Sequence, residues 1–252
     1  MSDRSRVAVV SGGGTGIGAA AVTALADTCS RIVLLGRRPD RLEAVATDLA
    51  TSHPSLTVDC RAVDLTDTAA VTAFAEWATG ELGTVDIVVS NAGSPQPRLE
   101  DSLASIAEVW ESTWRANTLS AVLLVEALKP LLARPGGRIV IVGSAAGSFG
   151  TGSPAYASAK GALETYALNL MRELGPEGIT ANVVAPGYTD GTELVAGRIS
   201  PERRERLLAG IAARRPAIPE EIGAVIAFLA SDGASFVNGQ TLLANGGAYL
   251  PA

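Results

Sequence analysis

The chain predicts a doubly wound α/β fold, with about seven parallel strands in one sheet and helices on both faces. Three observations carry that expectation. Short β-branched apolar runs alternate with longer stretches of helical periodicity, spaced glycines follow the first run directly, and no linker, composition break or solenoid-length repeat divides the 252 residues. Strand, helix, strand in this rhythm requires right-handed crossovers and a parallel sheet buried on both sides.

In chain order the expected strands are "RVAVVS" (6–11), "RIVLL" (31–35), "LTVDC" (56–60), "VDIVVS" (85–90), "GRIVIVG" (137–143), "ITANVVA" (179–185) and "QTLLA" (240–244). Each is a short apolar run bounded by turn residues, the pattern of a strand covered on both faces. Between them "AAAVTALADT", "RLEAVATDLAT", "DTAAVTAFAEWA" and the segment 101–133 have helical spacing, and another helix begins near Pro219. The stretch 187–218 is long for a connection, and insertions at the carboxyl ends of such strands tend to be functional. A single domain spanning 1–252 with a substrate lid at about 188–218 is therefore expected. The six arginines of that stretch, against four acids, fit either a grip on an anionic substrate or a solvated helical face.

Composition excludes several function classes. With 47% hydrophobic and 18% charged residues the chain can bury a large core, and its net charge of −6 is the reverse of a nucleic-acid reader's. The longest apolar runs stop well short of a membrane span, and the opening residues lack a secretory pattern. A cytoplasmic protein with neither nucleic acid nor membrane as partner is expected. Cys29 and Cys60 have no metal-ligand or disulfide spacing and read as small buried side chains, so no metal is expected. His53, the one histidine, sits in the turn-like "TSHPS" and reads as solvated surface. "GSAAG" (143–147) misses the nucleophile-elbow spacing by one residue.

"VAVVSGGGTGIGAAAV" places Gly12, Gly16 and Gly18 between the first strand and a helix. Glycines there let the backbone turn tightly and approach a pyrophosphate, whose charge suits the free N–H groups of a helix N-terminus. This is a Rossmann-type dinucleotide signal. At the end of the second strand, where an acid would bond the adenosine ribose of NAD, the chain reads "LLGRRPDRL", with Gly36 followed by Arg37 and Arg38. Arginine without an acid suits a 2′-phosphate, so NADP(H) is expected over NAD(H); alternatively both arginines only decorate the next helix.

These features, with several others, resemble the short-chain dehydrogenase/reductase family over essentially the whole chain. "SGGGTGIG" resembles its TGxxxGIG cofactor loop, with Ser11 for the threonine, and "SNAG" (90–93) is similar to its NNAG motif. "YASAK" matches YxxxK with Tyr156 and Lys160, Ser144 and Asn117 stand at the expected places, and "APGYTDGT" is similar to its PG motif. The resemblance implies an oxidoreductase that moves a hydride between the cofactor and a ketone or secondary alcohol.

The chemistry also follows from the residues. Reducing a carbonyl leaves an oxyanion that needs a positioned acid. A tyrosine hydroxyl, with an ordinary pKa of about 10, is expected to be lowered by a cation on the same helix face, four residues on at Lys160. Lysine is scarce here, present only as Lys129 and Lys160, and unlike arginine it can exchange a proton. Ser144, past the fifth strand, can hold the substrate oxygen.

Other roles are implied by the resemblance alone. Lys160 would also bond the nicotinamide ribose, and Asn117 would position a water between Lys160 and solvent. Thr15 and Ile17 would join the three glycines around the cofactor, with Asp64 at the adenine and Leu65 beside it. Asn91, Ala92 and Gly93 would line the cleft. Pro186 and Gly187 would belong to the cofactor site, with Thr189 offering backbone groups to the carboxamide. The family's PGxxxT spacing is broken, since Gly191 holds the threonine position and Thr192 follows. Ser94, Pro95, Phe149, Tyr188 and the segment 192–215 would wall the substrate pocket.

The pattern most resembles the bacterial 3-oxoacyl-thioester reductase branch. Carrier-protein reductases of that branch tend to present basic residues before strands five and six, whereas this chain has Arg134 before the first but Glu177 before the second. A free ketone or alcohol is therefore expected, with a 3-oxoacyl thioester as the alternative. A dinucleotide-binding sensor is a further reading, as are oxidation or epimerisation by the same machinery. A homo-oligomer, tetramer or dimer, is implied by the resemblance.

Overall fold

A computed structural model describes residues 5–94, 102–193 and 200–248. The strands are β1 (Val7–Ser11), β2 (Arg31–Gly36), β3 (Thr57–Ala62), β4 (Ile87–Ser90), β5 (Arg138–Val142), β6 (Thr180–Pro186) and β7 (Thr241–Ala244). The helices are α1 (Gly16–Leu25), α2 (Pro39–Ser52), α3 (Thr68–Glu81), α4 (Leu103–Trp114), α5 (Ser120–Leu128), α6 (Ala145–Phe149), α7 (Pro154–Leu174), α8 (Pro201–Ala209) and α9 (Pro219–Ala230). All seven strands pair in parallel in the order β3-β2-β1-β4-β5-β6-β7. Every expected strand is present, with ends shifted by a residue or two.

The side-chain period of two divides the core between the faces of the sheet. Val9, Val33, Leu35, Val88, Ile139, Ile141 and Val183 point to one side and are covered by α3, α5 and α7 through Phe74, Leu124, Leu128, Leu163 and Leu170. Ala8, Val10, Ile32, Leu34, Ile87, Val89, Val140 and Val184 point to the other, under Val22 and Leu25 of α1, Leu42 of α2 and Ile226 of α9. Burial on both faces explains why the strands read as unbroken apolar runs.

The chain order reverses between β1 and β4. Sheets of this kind take ligands at the carboxyl ends of the strands beside such a reversal. Helix starts follow local chemistry. Asp67 caps α3 by accepting from Ala69 N at 2.9 Å, and prolines begin α2, α7, α8 and α9 at positions whose N–H would have no helical partner.

Between α4 and α5 the helix makes a π-turn over Arg115–Leu119. "RANTL" contains neither glycine nor proline, so periodicity alone reads it as ordinary helix. After β6 the chain departs on the long connection to α9, and its two ends are pinned together. Ala217 donates to Tyr188 O and Asp190 to Ala217 O, each at 2.9 Å. Within it α8 buries none of its residues, and Arg203 and Arg206 face solvent. Arg204 bonds Asp190 and Arg215 bonds Glu221, so the solvated reading of this arginine-rich stretch fits the described residues. Pro95 and residues 194–199, named as pocket wall and lid, lie outside the described residues.

Candidate active site

The glycine loop is bare by necessity. A Cβ on Gly18 would lie 2.0 Å from Gly12 O, and one on Gly12, whose φ is +64°, would lie 2.6 Å from Asn91 Nδ2. Thr15 occupies the N-cap of α1 without a side-chain capping bond, and Ile17 packs toward the core under that helix. Backbone N–H groups at this N-terminus border an open crevice, the geometry a pyrophosphate requires.

Ser11, noted in the sequence only as a replacement for threonine, ties the loop to β4. Its hydroxyl accepts from Asn91 N at 2.9 Å and Ala92 N at 3.0 Å, while Asn91 Nδ2 returns a bond to Ser11 O at 3.0 Å. One buried hydroxyl thus holds the β1 and β4 ends in register. The unusual spacing after Pro186 and Gly187 also has a structural answer. Gly191 adopts φ +72°, accommodating the extra residue, and a Cβ on Gly16 would meet Thr192 Cγ2 at 3.4 Å. Thr192 therefore stands beside the glycine loop, its hydroxyl bonded to Thr189 O at 3.3 Å. Thr189 is buried and bonds Gly187 O through its own hydroxyl.

At the adenosine end the outcome is mixed. Arg37 is exposed at the end of β2. Arg38 does not stand ready for a ligand, because both ends of its guanidinium donate to Glu193, Nη1 to Oε1 at 3.0 Å and Nη2 to Oε2 at 2.7 Å. Asp64 accepts from the N–H and hydroxyl of Thr66 at 2.9 and 2.8 Å. Those bonds, aided by Arg37 and Arg115, hold its carboxyl below the usual range, and Leu65 beside it is buried.

The four expected catalytic side chains come from three neighbouring elements. Ser144 caps α6 just past β5, accepting from Ala146 N at 3.2 Å. Tyr156 and Lys160 lie one turn apart on α7, and the Ser144 side chain is the polar neighbour that favours the ionised form of the Tyr156 hydroxyl. Asn117 is in the π-turn, fully buried, and its Nδ2 donates to Ser94 O at 2.7 Å and Thr113 O at 2.9 Å. Two carbonyl acceptors fix the amide's orientation, and Asn117 Oδ1 has no partner in the protein. That orphaned oxygen and Lys160 Nζ converge behind Gly93, where a Cβ would lie 2.5 Å from the first and 3.2 Å from the second. Phe149 and Tyr188 are half-buried, Phe149 at the end of α6 and Tyr188 just after β6.

The expected electrostatics need correction. Lys160 shares a helix face with Tyr156, but its Nζ donates to Val142 O at 2.8 Å and lies 6.0 Å from the tyrosine ring centroid. Burial raises the Tyr156 pKa, against the smaller lowering influence of the Ser144 side chain. Burial likewise lowers Lys160, to about 8. Desolvation disfavours both charged forms and outweighs their mutual attraction in this geometry.

Of the remaining candidates, Cys29 and Cys60 are half-buried rather than the buried side chains expected. His53 bonds Ser52 and Asp27 at the surface end of α2, and burial pushes the Cys29 thiol up to about 11, away from reactivity. No cluster of metal-ligating side chains occurs among the described residues. No helix among them is long and apolar enough to cross a membrane. "GSAAG" proves to be a packing motif, since a Cβ on Gly147 would lie 2.6 Å from Gly161 N, so α6 and α7 touch through these glycines.

Residues 12–249 match the family described as "Enoyl-(Acyl carrier protein) reductase". The chain is 32% identical to the 3-oxoacyl-[acyl-carrier-protein] reductase FabG of Escherichia coli, over 99% of this chain and 100% of the other. It is 38% identical to the cis-4-hydroxycyclohexanecarboxylate dehydrogenase of Sinomonas cyclohexanicum, over 96% of each. Among solved structures, YwfH, an NADPH-dependent reductase involved in bacilysin biosynthesis, superposes with a TM-score of 0.88 at 25% identity, over 99% of this chain and 100% of the other. Levodione reductase also gives 0.88, at 28% identity and 96% of each. Fold and relatives together define an NAD(P)-dependent oxidoreductase on a Rossmann-type sheet. The chain belongs to the short-chain dehydrogenase/reductase family.

Proposed function

We propose that this protein transfers a hydride between NADP(H) and a free ketone or secondary alcohol, with Tyr156 as general acid and base. The observation that carries the reading is the convergence of Asn117 Oδ1 and Lys160 Nζ behind Gly93, with the Tyr156 ring centroid 6.0 Å from that Nζ. The bare glycine loop and that orphaned oxygen fit the dinucleotide, which supplies the hydride when bound.

Ser144 binds the substrate oxygen and aims it at Tyr156. Burial keeps the tyrosine protonated at neutral pH, so it donates its proton to the oxyanion formed in reduction. Lys160, with a pKa of about 8, can exchange protons near neutral pH, and Asn117 Oδ1 can hold a water for that exchange. Gly12, Thr15, Gly16, Ile17 and Gly18 cradle the pyrophosphate, and Thr192 replaces the threonine of the usual spacing. Asp64 and Leu65 border the adenine. Asn91, Ala92 and Gly93 line the cleft, and Pro186, Gly187 and Thr189 border the carboxamide. Ser94, Phe149 and Tyr188 wall the substrate site, and Arg37 receives the 2′-phosphate with Arg38.

Arg134 bears on the choice against a carrier protein. Its guanidinium bonds Glu177 and also the carbonyls of Leu132 and Lys129. The basic side chain before β5 is thus neutralised by the acid before β6, which disfavours an acidic carrier as partner. Two similar proteins, named for levodione and for cis-4-hydroxycyclohexanecarboxylate, act on small molecules, which supports a free substrate.

The same reading takes residues 1–252 as one cytoplasmic unit with the lid at 188–218. It assembles as a tetramer, or at least a dimer, supported by Phe236, fully exposed beside the edge strand β7. Replacing Tyr156 by Phe should abolish ketone reduction while leaving NADPH affinity within about twofold, as measured by fluorescence titration; retained turnover would sink the mechanism.

A further inference from the structure

We propose that Glu193 sets how strongly this chain discriminates NADPH from NADH, by occupying the guanidinium fork that a 2′-phosphate would need. The inference rests on the reading of Arg37 and Arg38 as 2′-phosphate contacts.

Arg38 caps α2 at the end of β2, the strand end that faces the adenosine ribose in sheets of this kind. Glu193 arrives from the other half of the sheet, one residue after Thr192, which stands against Gly16. The two-point bond between them uses the same parallel N–H donors that a phosphate takes from arginine. One fork cannot serve both anions. The neighbouring charges are Arg41, which acts on Glu193 and also lies 3.7 Å from Asp40, and Asp40 itself, which acts on Arg38.

The pair is exchangeable. Side-chain exposures of 49% for Arg38 and 52% for Glu193 leave it screened by solvent, where such pairs shift an equilibrium by only up to about fivefold. NADPH must part Arg38 from Glu193 and then bring its phosphate up to the released carboxylate. NADH carries a hydroxyl at that position and meets neither cost. Glu193 thereby weakens NADPH binding selectively, and the segment leaving β6 takes part in cofactor choice.

The test is calorimetric titration of the full chain with NADPH and with NADH, for the wild type, Glu193→Gln, Glu193→Ala, Arg37→Ala, Arg38→Ala and the Arg38→Ala/Glu193→Gln pair. Expected is an NADPH affinity about three- to tenfold tighter in both Glu193 variants, NADH affinity within about twofold, and a smaller gain on the Arg38→Ala background, where only the carboxylate's repulsion is removed. An unchanged NADPH-to-NADH ratio in the Glu193 variants overturns the proposal, even where the arginine variants lose NADPH selectively and the arginine reading stands. A selective loss of NADH in those variants also overturns it, making Glu193 a ribose ligand instead. If neither arginine variant weakens NADPH relative to NADH, the underlying reading fails, and that failure is visible without any change at Glu193.

Discussion

Lys160 donates its ammonium to the Val142 carbonyl, the one acceptor it meets among the described residues, and burial lowers its pKa from 10.5 to about 8. Between those values the unfolded chain binds more protons than the folded one, so wild-type stability should rise with pH from about 8 to 10.5. Below that window the burial penalty is complete, and it amounts to about 3 kcal/mol at most. Lys160→Met should therefore stabilise the cofactor-free protein at pH 7, by about 1–3 kcal/mol, while removing turnover. Urea melts at pH 7 and pH 10 should show that advantage shrinking as pH rises; an equal effect at both would mean that the lysine is not strained by burial. At this scale the sequence pointed to Tyr156 and Lys160 through residue type and spacing, and to Ser144 and Asn117 through the family resemblance. Their partners were not legible. Neither the Val142 carbonyl nor Glu193 belongs to a spacing pattern, because both meet the site only after β5 and β6 have paired and the following chain has turned back.

The contact between α6 and α7 brings Ser144 and Tyr156 together. Gly147 and Gly161 allow their backbones to touch, and a methyl at Gly147 would collide with the α7 backbone rather than with a flexible side-chain end. Gly147→Ala should push the helices apart by a few tenths of an ångström or more, enough to move Ser144 away from Tyr156. The expected result is a fall in kcat of about ten- to a hundredfold with NADPH affinity largely kept, because the glycine loop lies across the crevice. Wild-type kcat in a well-folded variant would show that the glycines serve packing alone. Strands were legible to within a residue or two because burial on both faces writes itself as unbroken apolar runs. The π-turn was not, since its extra backbone residue leaves no mark in "RANTL"; it is imposed by packing, with Thr118 bonded to Ala159 O at 2.8 Å beside Lys160.

At the scale of the whole molecule, most of the exposed large apolar side chains among the described residues gather at two places, Ile218 apart. Leu103, Trp110 and Trp114 stand out from α4, and Phe228, Phe236 and Leu242 from the β7 side of the sheet. Edge strands with exposed apolar neighbours invite pairing with another chain, and β7 is one of the sheet's two edges. Phe236→Asp should lower the mass seen by sedimentation velocity, halving a tetramer or splitting a dimer. An unchanged mass would remove this face from the assembly.

Ser11 also acts at this scale, because it joins the two halves of the sheet where their order reverses. Its side chain accepts from two consecutive backbone donors at the top of β4, and only a hydroxyl on a short, branch-tolerant stem can reach both. Alanine or cysteine would leave those donors poorly met at about 1–3 kcal/mol each, and larger side chains have no room in a position with no solvent exposure. Of the encoded alternatives only threonine preserves the joint. A library randomised at this codon and selected for soluble, cofactor-binding protein would therefore return a two-letter alphabet, serine and threonine, at a position that need never meet the substrate.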